Sequence, residues 1–323
     1  MLSHTFIIYS TRGFGNPCPR LVMIFLHSYT YPAFAAPFES VQMFLSVSIK
    51  EPVQNTTREA MPWIENNQAR LFYTDEGTGT SALLLHGWAC DSHDWSWQIP
   101  VLLNAGFRVI AMDHRGHGRS TAPHGDYKPQ TLADDAAALL DHLQAGPAII
   151  ISHSMGTVVA SALSVQHPQH VKALVLIEPA YHTPGELLGP FVEAMAAPNS
   201  AELAAGYFSA SFYTPDTPAF LKSWHMRRAI GTLPHVHAGC ISGLFGAGGI
   251  GRLEIAQEYM KQRKAPRLAV YASEATASVE RGLPYGPHDE IHVIENASHW
   301  LHQQRSEDFN QLLLRWLNAP GAF

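Results

Sequence analysis

The sequence predicts an α/β protein: a mostly parallel central sheet flanked by helices, with a helical segment inserted between two core strands. Three observations carry this expectation. The run Ile149-Ile150-Ile151 is β-branched, as suits a strand buried on both faces, and it stops abruptly at Ser152-His153-Ser154-Met155-Gly156, where a small-residue helical pattern begins. From Ala69 onward, short apolar runs alternate with helical patterns, the signature of βαβ units. That alternation stops over residues 180–262, which offer helical pieces and no convincing strand.

In chain order, residues 69–74 read as an early strand closed by Asp75-Glu76-Gly77. Residues 82–85 read as a buried strand running into His86-Gly87-Trp88. A helix over 97–104 ends at Gly106, residues 107–112 form the next strand, and 131–144 carry apolar positions at helical spacing. The strand at 149–151 leads to a helix over 155–166, and the strand at 171–177 ends at Glu178-Pro179. Within the insertion, helical pieces span 185–195, 201–208, 218–230 and 253–263, with a glycine-rich break at 243–251. The core resumes with strands at 267–272 and 291–295, and a closing helix covers 306–317. The expected organisation is an N-terminal extension over 1–60, a core formed by 61–179 and 263–323, and a helical lid over 180–262. A segment inserted at the carboxyl edge of a sheet lies over its mouth. The lid aromatics Tyr207, Phe208, Phe212, Tyr213, Phe220, Trp224 and Phe245 are therefore candidates for the wall of an apolar pocket.

Composition narrows the class. Of 323 residues, 46% are hydrophobic and 15% charged, which fits a folded globular chain. A formal net charge of −6 argues against nucleic acid or an anionic membrane as the main partner. Three cysteines, Cys18, Cys90 and Cys240, lie far apart, a pattern that fits a reducing compartment. The first 60 residues differ from the rest: Arg20, an apolar stretch at 21–26 and small residues at 33–36 faintly resemble a secretory signal. That stretch is too short to span a bilayer. The expected location is cytoplasmic, or secreted if residues 1–36 act as a signal peptide, and a start at Met61 is the favoured reading.

The chemistry centres on Ser154. A serine hydroxyl attacks well only when a base takes its proton, normally a histidine oriented by a carboxylate. His299, just past the last strand in Asn296-Ala297-Ser298-His299-Trp300, is the candidate base. Two acids compete. Glu178 emerges at the carboxyl end of its strand, where ligands bind, and is preferred; Glu274 lies in the loop after the strand at 267–272. The candidate oxyanion donors are the backbone N–H groups of Trp88 and Met155. His86, Gly87, His153, Trp224 and Trp300 are candidate substrate-binding residues. His114 and His117, in Asp113-His114-Arg115-Gly116-His117-Gly118-Arg119-Ser120, are three apart but lack a completing ligand set, so no metal is expected. No glycine-rich phosphate loop points to a nucleotide, and no cofactor is expected.

Together, His86-Gly87-Trp88, the 113–120 stretch, Ser152-His153-Ser154-Met155-Gly156 and Asn296-Ala297-Ser298-His299-Trp300 resemble the α/β-hydrolase superfamily, over about residues 63–318. More narrowly, they resemble its single-lid branch of esterases, lactonases and C–C hydrolases. The resemblance implies the α/β-hydrolase fold and a Ser-His-acid site hydrolysing a small, largely apolar ester or lactone through an acyl-enzyme. The serine separates the chain from the dehalogenase and epoxide-hydrolase branches, which place an aspartate there. Ser152 in the usual glycine position and an early acid are similar to cofactor-free quinolone dioxygenases, although Cys90 and Met155 stand where those enzymes carry histidines. A glutamate at the early position also resembles fungal lactonases. An oxygenase using a His299–Glu178 dyad on a heteroaromatic substrate is therefore the alternative, and a non-catalytic ligand sensor is a third possibility.

Overall fold

A computed structural model of the protein describes residues 9–11, 20–22 and 62–319. Near the N-terminus, β1 (Tyr9–Thr11) pairs antiparallel with β2 (Arg20–Val22). The other expectations for residues 1–60, including the signal-like stretch, lie outside the described residues.

The main body is an eight-stranded sheet. Its strands are β3 (Trp63–Asn66), β4 (Ala69–Glu76), β5 (Ser81–Leu85), β6 (Arg108–Met112), β7 (Ala148–His153), β8 (Val171–Ile177), β9 (Arg267–Tyr271) and β10 (Glu290–Val293), in the order β10-β9-β8-β7-β5-β6-β4-β3. Every pairing from β10 to β6 is parallel, and β4 runs antiparallel to both its neighbours. The helices are α1 (Ile99–Asn104), α2 (Pro129–His142), α3 (Met155–Gln166), α4 (Gly189–Met195), α5 (Ser200–Ser211), α6 (Ala219–Gly231), α7 (Pro234–Phe245), α8 (Leu253–Met260), α9 (Glu274–Arg281), α10 (Leu301–Gln304) and α11 (Ser306–Leu317). None of them is long and apolar enough to cross a membrane.

Alternation along each strand feeds two cores, as a sheet covered on both faces requires. Leu83 and Leu85 of β5, Ile150 of β7 and Leu174 and Leu176 of β8 pack with Val158, Val159 and Leu163 of α3. Leu84, Ile149, Ile151, Val175 and Ile177 face the other way, against Trp95, Leu301, Phe309, Leu313 and Trp316. The chain leaves β5 toward β6 on one side and leaves β7 toward β8 on the other. The carboxyl ends of β5 and β7 thus flank a topological switch point, where open α/β sheets bind ligands.

Three elements differ from the sequence expectation. β3 precedes the first expected strand: Asn66 pairs with Ala69 across the two-residue turn Asn67-Gln68, where both φ values are positive (43° and 66°), the geometry of a tight hairpin. The glycine-rich break begins at Gly246 rather than Gly243, because Val236, Cys240, Ile241 and Leu244 recur at helical spacing and bury one face of α7. The stretch after β9 is not a loop but the start of α9, capped by Ser273, whose Oγ accepts from the Thr276 N–H. Between β8 and β9 the described chain holds only helices, α4 to α8 and one short 3₁₀ turn over Gly185–Leu187.

Helix α3 approaches the end of β5 so closely that only glycine fits at its second position. A Cβ on Gly156 would lie 2.4 Å from the Leu85 carbonyl oxygen and 2.6 Å from that of His86. Those atoms are backbone and cannot swing aside. Gly156→Ala is expected to lower stability by about 1–3 kcal/mol, the cost of overpacking a close contact, measured as a drop in the urea midpoint. An unchanged midpoint would mean that α3 slides without cost.

Candidate active site

Ser154 sits between β7 and α3 with φ 52° and ψ −120°, a backbone conformation that L-residues seldom adopt. Its N–H donates to the Ile177 carbonyl at 2.9 Å, and that bond to the neighbouring strand's end holds the bend. Ser152, in the usual glycine position, is fully buried and its hydroxyl donates to the Val175 carbonyl at 2.9 Å, so the extra side chain is accommodated without an unpaired group. Positive φ recurs at Ala89 (55°), Glu178 (49°) and Asn296 (58°), in the three other loops that converge here. Strain of this kind persists only where surrounding packing over-determines it, and it clusters at functional sites.

Three sequence candidates meet. His299 Nε2 lies 2.8 Å from Ser154 Oγ, and His299 Nδ1 lies 3.1 Å from Glu178 Oε2. Glu178 is pinned from its far side: its Oε1 accepts from the Ala272 N–H at 2.6 Å, and its own N–H donates to the Val270 carbonyl at 2.8 Å. A carboxylate facing Nδ1 selects the tautomer with the proton there and leaves the Nε2 lone pair toward Ser154. Glu274, the second candidate acid, is not part of this chain. It opens α9 and forms an exposed ion pair with Arg281 at 3.1 Å. The helix turns its side chain to solvent, which is why a position suitable in sequence fails in space.

Gly87, Trp88 and Met155 line the same cavity as Ser154. A Cβ on Gly87 would lie 3.2 Å from Ser154 Cβ and 3.0 Å from His153 Nδ1, so the loop after β5 passes directly against the serine. The Trp88 ring is a wall, meeting Phe191 and Phe208 edge-on at 5.9 and 5.5 Å. Trp300 also lines the cavity and stacks on His225 at 3.7 Å. His153 reaches the cavity too, but its Nε2 donates to the His299 carbonyl at 2.9 Å, making it a support for the histidine loop.

Two expected substrate-binding residues lie elsewhere. His86 is fully buried and does not line the cavity. Its Nδ1 donates to the Gly87 carbonyl at 2.7 Å and its Nε2 accepts from the His114 N–H at 3.0 Å, tying together the loops after β5 and β6. Burial lowers its pKa to about 3, so the ring stays neutral. Trp224 points away from the cavity and packs with His93, Trp97 and Phe220. Residues 113–120 form a structural turn, in which the buried Asp113 carboxylate accepts from the N–H groups of Ser92 and Arg119 at 2.7 and 2.9 Å.

Sequence reasoning missed a buried polar layer behind the site. Asp94, His153 and His302 bring possible ligand atoms within 4.8 Å of one another. Asp94 is already matched, however: Arg228 Nη1 lies 2.5 Å from one oxygen and the Trp300 Nε1–H donates to the other at 3.3 Å. Burial alone would raise the Asp94 pKa, but Arg228 and the nearby histidines hold it well below the usual carboxylate range. The layer reads as an internal ion pair rather than a cation site. No short motif could have revealed it, because its members come from positions 94, 153, 225, 228 and 302.

The cavity measures about 530 Å³. Of the seven candidate aromatics, Tyr207, Phe208, Phe212, Tyr213 and Phe245 line it, and Phe220 and Trp224 do not. Phe191, Ile241 and Leu244 add apolar wall that sequence reading did not single out. Among the described residues, no Lys, Arg or Asp contributes to the lining.

The family model described as the α/β hydrolase fold matches residues 83–217, from within β5 past β8 and including Ser154. Over this stretch the chain is similar to the α/β-hydrolase family. An epoxide hydrolase of Caballeronia sordidicola is 34% identical over 125 residues, which is 38% of this chain and 38% of that protein. A bifunctional esterase/perhydrolase of Acinetobacter calcoaceticus is 40% identical over 88 residues, 27% of this chain and 32% of that protein. The chain spans less than half the length of each of these curated relatives. The enol-lactonase of Burkholderia xenovorans LB400 superposes with a TM-score of 0.69 at 21% identity, covering 79% of this chain and 99% of that one, a likeness of fold.

Proposed function

We propose that this chain is an α/β hydrolase that cleaves carboxylic esters or lactones through a Ser154-His299-Glu178 triad. The observation that carries the reading is the unbroken hydrogen-bonded line from Ser154 Oγ through both ring nitrogens of His299 to the doubly held Glu178. His299 Nε2 takes the Ser154 proton as Oγ attacks the acyl carbon, and Glu178 stabilises the imidazolium that forms. The carbonyl oxygen becomes an oxyanion facing the backbone N–H groups of Trp88 and Met155. His299 then passes its proton to the departing alkoxide, leaving an acyl-enzyme. Water attacks this ester with His299 again acting as base, and Ser154 recovers its proton.

A serine at the bend favours this reading over epoxide opening, for which the sequence resemblance implies an aspartate. The aromatic and aliphatic lining, free of Lys, Arg and Asp among the described residues, favours a neutral substrate that is largely apolar. The segment between β8 and β9 acts as the lid, supplying Phe191, Phe208, Phe212 and Leu244 to the cavity wall.

The test is intact mass after incubation with a fluorophosphonate. A single adduct on the wild type, absent from Ser154→Ala, is expected. Folded wild-type protein that acquires no adduct, yet consumes oxygen with a heteroaromatic substrate, would replace the hydrolase reading with the oxygenase one.

A further inference from the structure

The lid does more than cover the cavity, because one of its residues touches the base itself. Phe212 follows α5, and its ring lies face to face with the His299 imidazole, centroids 4.2 Å apart and planes 16° from parallel. The Phe212 carbonyl also accepts the His299 backbone N–H at 3.0 Å. On the core side, the His299 carbonyl accepts from His153 Nε2 at 2.9 Å. The base is therefore held at its amide by the lid, at its carbonyl by β7, and across its ring face by a lid phenyl.

Further bonds join the same two segments. Gln304 Nε2 donates to Thr214 Oγ1 at 3.1 Å, and Gln304 Oε1 accepts from Thr217 Oγ1 at 3.1 Å and from the Ser298 N–H at 2.9 Å. Tyr213 stacks on Trp300 at 5.8 Å. Residues 212–217 of the lid and 298–304 of the base loop thus form one hydrogen-bonded unit.

We propose that Phe212 is a positioning residue for the general base: its ring face holds the His299 imidazole in line with Ser154 and stabilises the imidazolium formed when Ser154 is deprotonated. The inference rests on the triad reading above and adds a lid residue to it. An aromatic face carries negative potential and attracts a cation lying over it. A neutral imidazole gains little from that face, whereas an imidazolium gains substantially, so the contact strengthens as the proton moves. The titratable groups facing His299 are Glu178 at the end of β8 and His153 on β7, with His225 of α6 and His302 of α10 one layer behind. His153, His225 and His302 are all held neutral chiefly by burial, which leaves the Glu178 carboxyl at Nδ1 and the Phe212 face across the ring as the contacts placed to meet a developing imidazolium.

The experiment measures the rate of fluorophosphonate labelling of Ser154 from pH 5.5 to 9 in the wild type, Phe212→Leu and Phe212→Trp. Phe212→Leu keeps an apolar side chain and removes the ring face. It is expected to label about 5- to 30-fold more slowly, with the pH midpoint lowered by about half a pH unit or more. Phe212→Trp keeps a face and is expected to retain the wild-type midpoint. Imidazole NMR titration of His299 in the same proteins reads the midpoint without any reaction. A wild-type midpoint and rate in Phe212→Leu would overturn the inference and leave the triad standing. A wild type that never labels would instead remove the triad reading on which the inference rests.

Discussion

Ser154→Ala and His299→Ala are each expected to lower ester turnover by about 10⁶-fold, and the double variant no further. The two side chains act as one unit. Without the base, the hydroxyl keeps its proton; without the hydroxyl, the base has nothing to activate. What survives is the contribution of binding and of the oxyanion donors, worth about 10³–10⁴ over water. Glu178→Gln is expected to cost about 10⁴, because an amide that turns its NH₂ toward Nδ1 stabilises the wrong tautomer and leaves the Nε2 proton facing Ser154. Glu274→Gln removes only an exposed ion pair with Arg281 and is expected to leave turnover unchanged. Steady-state kinetics on a chromogenic ester, with circular dichroism to confirm folding, checks all five variants. Equal losses in Glu178→Gln and Glu274→Gln, or additive losses in the double variant, would break the triad assignment.

The contrast between these two glutamates shows what the sequence made legible. Strand ends were readable because buried parallel strands are continuous apolar runs: 171–177 coincides with β8, and Glu178 must then emerge at the carboxyl edge. Helices with one strong apolar stripe, such as α11 over Ser306–Leu317, were equally clear. Glu274 was misread because Ser273 begins a helix there, and a cap plus a polar run resembles a loop when no apolar stripe marks it. Trp224 failed for a different reason: composition indicates that the aromatics of residues 180–262 face something apolar, but not whether that is the cavity or the surface of His93 and Trp97. The Asp94–Arg228 pair and the Phe212–His299 stack join residues more than 80 positions apart, with no local pattern to announce them.

Acid is expected to unfold this protein well before its carboxylates are exhausted. His86 and His302 are fully buried with pKa lowered to about 3, and His225 and His237 are buried with pKa lowered to about 4, in each case mainly by removal from water. In the unfolded chain each titrates near 6.5. Above that value both states hold these rings neutral and the histidines add no slope. Below it the unfolded chain binds protons that the folded one refuses, so stability falls as pH falls, and continues to fall until about 3–4, where the native rings also protonate. Each ring adds up to about one proton to the slope, so the four together make the decline several times steeper than one group would. The urea midpoint is therefore expected to decline steeply between pH 6.5 and 5, and His302→Gln is expected to make the decline shallower by about one proton. A midpoint constant from pH 7 to 4.5 would show that these rings are not held neutral by the fold. The same slope separates two causes of lost activity. A reversible limb no steeper than one proton, with tryptophan fluorescence unchanged, reports a single group at the site, whereas a limb steeper than one proton, tracking the loss of tryptophan fluorescence, is the buried histidine layer giving way beneath the site.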